Sequence, residues 1–128
     1  MLCNYEDILD NYNPAVPHAL RFPDTHGETV TVNDETMSCQ LTLIGENVMA
    51  IDIVADDDKI ETGGFYPLWV KGFEGGLGWE SINYYHAMQA TLADHAEHTG
   101  VNDQGIEAVH SWADGRVHMH VTRSGKNA

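Results

Sequence analysis

The sequence predicts an α+β fold: an antiparallel sheet of about five to seven strands, one long helix packed on one face and a short N-terminal helix. Three observations carry this prediction. Alternating apolar runs follow one another between residues 29 and 55, separated by short turns. One segment, residues 81–98, repeats its apolar residues at helical spacing, and Asp114-Gly115 joins two further alternating runs. Consecutive strands with short connections pair antiparallel, and a helix with one apolar stripe must bury that stripe against a neighbouring layer. The 128 residues read as one domain, residues 1–128, with a frayed tail at 124–128.

Along the chain, Asn4 is placed to cap a short helix over residues 4–13. Glu6 and Asp7 then lie in its first turn, and Tyr5, Ile8, Leu9 and Tyr12 point inward. Pro14 and Pro17 end regular structure. Residues 19–22 read as an edge strand stopped by Pro23, and residues 29–32 as a β-branched strand. The clearest hairpin spans 36–44 and 48–55. Met37, Cys39, Leu41 and Leu43 alternate inward on its first arm, and Met49, Ile51, Ile53 and Ala55 on its second. The second arm is apolar on both faces except at Asp52, the pattern of a central strand. Residues 65–71 read as a strand interrupted at Pro67, and residues 72–78 as a flexible, glycine-rich connection.

The long helix has a complete set of signals. Ser81 is its N-cap, Ile82, Tyr85, Met88, Leu92 and Ala96 form its apolar stripe, and Gly100 with Val101 is a Schellman-type stop. Residues 105–112 and 116–122 then make the last hairpin. Counting outward from its turn pairs Trp112 with Val117 and His110 with Met119. Ala108, His110, Trp112, Val117, Met119 and Val121 share the core side, and His118 and His120 share the opposite face.

Charge limits function more than any motif does. Twenty acids stand against six bases, a net charge of −14, and residues 1–61 carry 13 of the acids with only Arg21 and Lys59. Binding nucleic acid or an anionic membrane requires basic groups that neutralise phosphates, so neither is an expected partner. A basic protein surface is, above all one that itself binds nucleic acid. No apolar run approaches the roughly 18 residues of a membrane span, and the acidic first residues do not read as a signal peptide. Cys3 and Cys39 read as free thiols of a reducing compartment, so the expected location is cytoplasmic, the host's if the protein is viral.

The candidate sites follow from these features. The expected partner-binding residues are Asp52, Asp56, Asp57, Asp58 and Glu61 from the acidic half, with Trp69, Phe73, Glu74 and Trp79 from an aromatic segment. That segment, residues 63–85, holds seven of the eleven aromatic residues, and Trp and Tyr are enriched at binding hot spots. Its aromatics are equally natural material for the helix–sheet core. His95 and His98 near the helix end, and His118 and His120 on a strand, have spacings that can chelate a metal. Their plainer roles are helix-dipole compensation and solvated surface. The glycines at 72, 75, 76 and 78 precede a helix as phosphate-cradling loops do, but no Lys-Ser/Thr follows them and Glu74 and Glu80 would repel phosphate. No catalytic residue and no cofactor is predicted.

In size and charge the chain resembles phage and mobile-element inhibitors, including DNA mimics that occupy nuclease, restriction or CRISPR grooves; no motif carries the resemblance. It implies a binding protein rather than an enzyme. A metal- or cofactor-dependent enzyme built on the histidines or glycines, and a domain whose acidity is an adaptation to salt, are the alternatives.

Overall fold

A computed structural model describes residues 1–60, 65 and 67–123. Among these residues, seven strands form one antiparallel sheet: β1 (Cys3–Asn4), β2 (Thr29–Asn33), β3 (Met37–Ile44), β4 (Asn47–Asp56), β5 (His98–Val101), β6 (Ile106–Ala113) and β7 (Arg116–Arg123). The spatial order is β2-β3-β4-β7-β6-β5, and β1 pairs with the start of β4. The strand expected to be central is therefore interior, held by β3 on one side and β7 on the other. The final hairpin has the predicted register, with Trp112 opposite Val117 and His110 opposite Met119. Asp114 and Gly115 both take positive φ, 54° and 80°. This is the twist that a two-residue hairpin needs.

One face of this sheet carries the core. Met37, Cys39, Leu41 and Leu43 of β3 are buried as the alternation requires, with Ile51, Ile53 and Ala55 of β4. A register shift after Thr42 moves the pattern by one residue at the start of β4, so Val48 is buried and Met49 only half-buried. The extra residue of a bulge reverses which side chains face inward beyond it.

The short helix α1 (Tyr5–Asp7) has the expected cap. The Asn4 side chain accepts from the Asp7 N–H, and the Asp7 carboxylate accepts from the Asn4 N–H. The chain continues as a π-helical turn, Ile8–Tyr12, which buries Ile8 and Tyr12 and leaves Leu9 half-buried. Residues 19–22 are not a strand. A 3₁₀ turn, His18–Leu20, occupies this place, and the Asn13 side chain brackets the Phe22 backbone with two bonds of 2.9 Å. One amide side chain thus satisfies the donor and acceptor that a neighbouring strand would have taken.

The largest departure from the sequence reading is the aromatic segment. Pro67–Gly76 is a π-helix, not a strand followed by a flexible loop. It buries Leu68, Trp69, Gly72 and Phe73, which recur at helical spacing. Two of its glycines are packing residues. A Cβ on Gly72 would collide with the Tyr12 ring, and one on Gly76 with the Asn11 carbonyl. These missing side chains let the two π-helical segments approach backbone to ring and backbone to backbone, so the glycines serve contact rather than mobility.

The long helix, α2 (Ile82–Asp94), is shorter than predicted and rotated. It buries Tyr84, Ala87, Met88 and Thr91, while Ile82 and Tyr85 are exposed. Both sets have helical spacing. Tertiary contacts choose between them: the Tyr84 hydroxyl donates to the Ile106 carbonyl at 2.6 Å, and its ring meets Trp69 edge-on at 5.2 Å. Ser81 makes no capping bond; its hydroxyl donates to the Glu74 carboxylate instead. At the other end His95 adopts the left-handed conformation, φ 57°, and stops the helix. Gly100, expected to be the stop, lies in β5, where a Cβ would come within 2.6 Å of the Asn83 carbonyl. Its role is the close seating of β5 against α2.

Candidate binding surface

Antiparallel pairing brings three turns to one end of the sheet. The β2–β3 turn supplies Asp34 and Glu35, the end of β4 and the following 3₁₀ turn, Asp57–Lys59, supply Asp56, Asp57 and Asp58, and the β6–β7 turn supplies Asp114. Backbone bonds tie these turns together: Asp56 N–H to Thr36 O at 3.2 Å, and Asp57 N–H to Gly115 O at 2.9 Å. Among the described residues, six carboxylates thus share one rim with two bases, Lys59 and Arg116. Arg116 pairs with Asp56 at 3.2 Å, both of them well solvated. A pair of that kind contributes only ~0–1 kcal/mol, so the rim keeps most of its negative field. A polar hollow of about 230 Å³ opens between the first turn and β4, lined by Asp34, Glu35, Ser38, Asp56 and Arg116.

Several of these carboxylates also hold the fold. The Asp34 side chain accepts from the Thr36 and Met37 N–H groups at 2.8 and 3.0 Å, which shapes its turn. Asp57 accepts from the Trp112 indole at 3.2 Å. Glu35, Asp58 and Asp114 are exposed.

Beside the rim lies the sheet face opposite the core. His118 and His120 project from it as predicted, both on β7, with His120 directly opposite Asp52 and His118 opposite Val54. Asp52 Oδ1 is hydrogen-bonded to His118 Nε2 at 3.0 Å and to His120 Nδ1 at 2.6 Å. The carboxylate at the middle of β4 is thus engaged by both histidines of its neighbour. Among the described residues no group of three His, Cys, Asp or Glu side chains could hold a metal ion.

The other histidine pair is split by the early end of α2. His95, in the helix stop, stacks on Trp112 with ring centroids 3.8 Å apart and planes 1° from parallel. His98 begins β5 and bonds back to Asp94 at 2.8 Å. The predicted common helix face for His95 and His98 does not exist, because His95 turns the chain before His98 is reached. Asp94 is held below the usual carboxylate range, first by the Ala96 N–H and then by His98.

The aromatic residues expected at a partner surface are core residues. Phe73 is 0% exposed, Trp69 2% and Trp79 7%. Trp69 and Phe73 lie 4.7 Å apart, and Phe73 stacks on Trp79 at 5.4 Å. The enrichment of the segment is explained by one aromatic cluster linking Tyr12, Phe73, Trp69 and Tyr84. Full burial of a side chain of this size stabilises by about 2–3 kcal/mol. Glu74 sits half-buried on the π-helix as the acceptor of Ser81, and Glu61 lies outside the described residues.

Both thiols are free, Cys39 buried and Cys3 half-buried. Burial pushes the Cys3 thiol up to about 12 and the Cys39 thiol higher still, so neither is a ready nucleophile. Among the described residues, no helix is long and apolar enough to cross a membrane.

Sequence reasoning found Asp56–Asp58 but missed Asp34, Glu35 and Asp114 as members of one surface. The available signal was parity, since in a run of antiparallel strands alternate turns fall at the same end. Using it required knowing that β7 lies beside β4. No protein-family model, curated protein or solved structure matches this chain.

Proposed function

We propose that this chain is a small acidic binding protein that docks its carboxylate rim on the basic surface of another protein, one that itself binds nucleic acid. An inhibitor of phage or mobile-element origin that mimics DNA, acting in the host cytoplasm, is the biological form that this charge suggests. The observation that carries the reading is the meeting of three sequence-distant acidic turns at one end of the sheet. A fold that gathers like charges holds them against their own repulsion, and a cationic partner relieves it. Charge complementarity of this kind sets encounter rate and partner choice, and it fades as salt screens the field.

The test pairs capture with charge reversal. Immobilised protein is exposed to lysate at about 50 mM and about 500 mM salt, a range over which the screening length falls severalfold. A basic nucleic-acid-binding protein should be retained at low salt and released at high salt. The triple variant Glu35→Lys, Asp58→Lys, Asp114→Asn, exposed at all three positions and with asparagine tolerating the positive φ of residue 114, should fold normally and retain nothing. Equal retention by the variant, or no basic protein among those captured, overturns the proposal.

A further inference from the structure

The sheet order ends in two edge strands, β2 and β5, and an edge carries backbone groups with no neighbouring strand to pair them. In an antiparallel pair, bonded residues alternate with residues whose N–H and C=O point the other way. The bonds from Leu43 N–H to Glu28 O and from Asp34 N–H to Met37 O set that phase for β2. Val30 and Val32 therefore bond to β3, and Thr29, Thr31 and Asn33 turn their backbone groups outward. All three residues are exposed. Among the described residues these outward groups have no partner, and the nearby turn His18–Leu20 bonds to none of them. The other edge is covered. The phase of β5 turns Val101 outward, and its carbonyl accepts from the Asn83 side chain of α2 at 2.7 Å. Edge strands are commonly blunted by Lys, Pro, a bulge or a covering element. The sequence of β2, TVTVN, contains neither Lys nor Pro, and its register with β3 is unbroken.

Charge selects the occupant. The uncharged strand is bounded by Glu28 at one end and by Asp34 and Glu35, members of the rim, at the other, and all three acids are exposed. A second copy of the chain fits poorly. The antiparallel register that pairs all the outward residues is centred on Thr31, and it sets Glu28 against Asp34 at both ends. Like charges directly opposite destabilise a strand pair, and each copy carries −14. We infer that β2 receives an extended segment of the partner protein as an added strand, β-branched in its middle and basic at both ends, bonded to the backbones of Thr29, Thr31 and Asn33. Main-chain bonds give strand addition its affinity, and the side chains along it give its choice of partner. The inference rests on the rim reading for the partner's basic character, and a peptide tests it without that partner.

The peptide is Lys-Thr-Val-Thr-Val-Thr-Lys, acetylated and amidated, whose lysines fall opposite Glu28 and Asp34 when its threonines face Thr29, Thr31 and Asn33. One control carries glutamate at both ends. The other is N-methylated at the threonines, which removes the donors that would meet β2. The readout is the set of backbone amide resonances of nitrogen-15-labelled protein at low salt. Those of Thr29, Thr31 and Asn33 should shift downfield and saturate by about 5 mM peptide. Those of Val30 and Val32, already bonded to β3, should move less. The glutamate-ended peptide should bind at least about tenfold more weakly, because attraction becomes repulsion at both ends. The N-methylated peptide should not saturate. Thr31→Pro removes an outward N–H without costing a bond to β3, so the folded variant should lose binding. Should it not fold, the N-methylated peptide makes the same comparison on the native chain. Absence of a saturable shift at the three positions overturns the inference, as does equal binding of either control or of the folded proline variant. Shifts confined to Glu35, Asp58 and Asp114 overturn it while leaving the rim reading in place. Shifts of the β2 amides with protein concentration alone overturn it in favour of a second copy.

Discussion

The two faces of the sheet use the same residue in opposite ways. His110 on β6 faces the helices and is 0% exposed, with neither ring nitrogen partnered although the His98 and Ala108 backbones lie near. Desolvation holds its pKa down to about 4, so it is a neutral core side chain at neutral pH. His118 and His120, one strand away, are exposed and share a carboxylate. Strand parity alone assigns these fates, since successive side chains point to opposite faces. A histidine in an alternating run is therefore read by its position before its chemistry.

The same contrast separates the two kinds of glycine. Gly115 supplies a positive φ to a turn, whereas Gly72, Gly76 and Gly100 supply missing volume at backbone contacts. The covered face should be intolerant of change and the open face tolerant, and three experiments test that asymmetry.

The largest effect is expected at the packed glycines. Gly76→Ala places a methyl group against the Asn11 carbonyl, a backbone group that can move only with its whole segment. Overpacking of this kind costs typically 1–3 kcal/mol, and this site should lie near the top, about 3 kcal/mol in urea denaturation. Gly115→Asn, at a turn with open space around it, should cost much less. Similar losses at both positions would dissolve the distinction.

Next is the acid response of the core. The unfolded chain takes a proton on His110 near pH 6.5, while the folded chain resists until about pH 4. Between those values the unfolded state binds more protons, so stability falls as pH falls, by about 3 kcal/mol across the window, with no contribution above it. Urea titrations at pH 7 and pH 4 should show this loss in the native sequence, and the loss should be smaller by about that amount in His110→Leu. An unchanged pH dependence would place a partner on the ring.

The smallest effect belongs to the open face. Asp52→Asn removes the charge that His118 and His120 share while keeping an acceptor there. Exposed pairs contribute little, so stability at pH 7 should change by less than about 1 kcal/mol. A larger loss would show that the open face supports the sheet, and the contrast between the faces would weaken.

Most of the sheet was legible because each strand declares itself locally. The hairpin register follows from Asp114-Gly115, the buried row of β3 from its alternation, and the α1 cap from Asn4 and Asp7 three residues apart. The π-helix was misread because Pro67 and four glycines at 72–78 have the look of a broken strand and a loop. Its helical recurrence, Leu68, Trp69, Gly72 and Phe73, was present but included a glycine, which pattern reading does not count as a core residue. The stripe of α2 was misplaced by one residue for a related reason. Tyr84 and Tyr85 are equivalent by composition, and only Ile106 and Trp69, distant in sequence, give Tyr84 its buried partners.

The sequence by itself determined the α+β class, the alternating strands, the tight final turn and the excess of negative charge. Those depend on neighbours within a few residues, or on composition alone. Tertiary structure decided which face of α2 is buried, why the glycines are needed, that the aromatic cluster is core, and that six carboxylates from three turns form one rim. Each of these is a contact between segments far apart in the chain, and its energy exists only once the sheet order has brought the partners together.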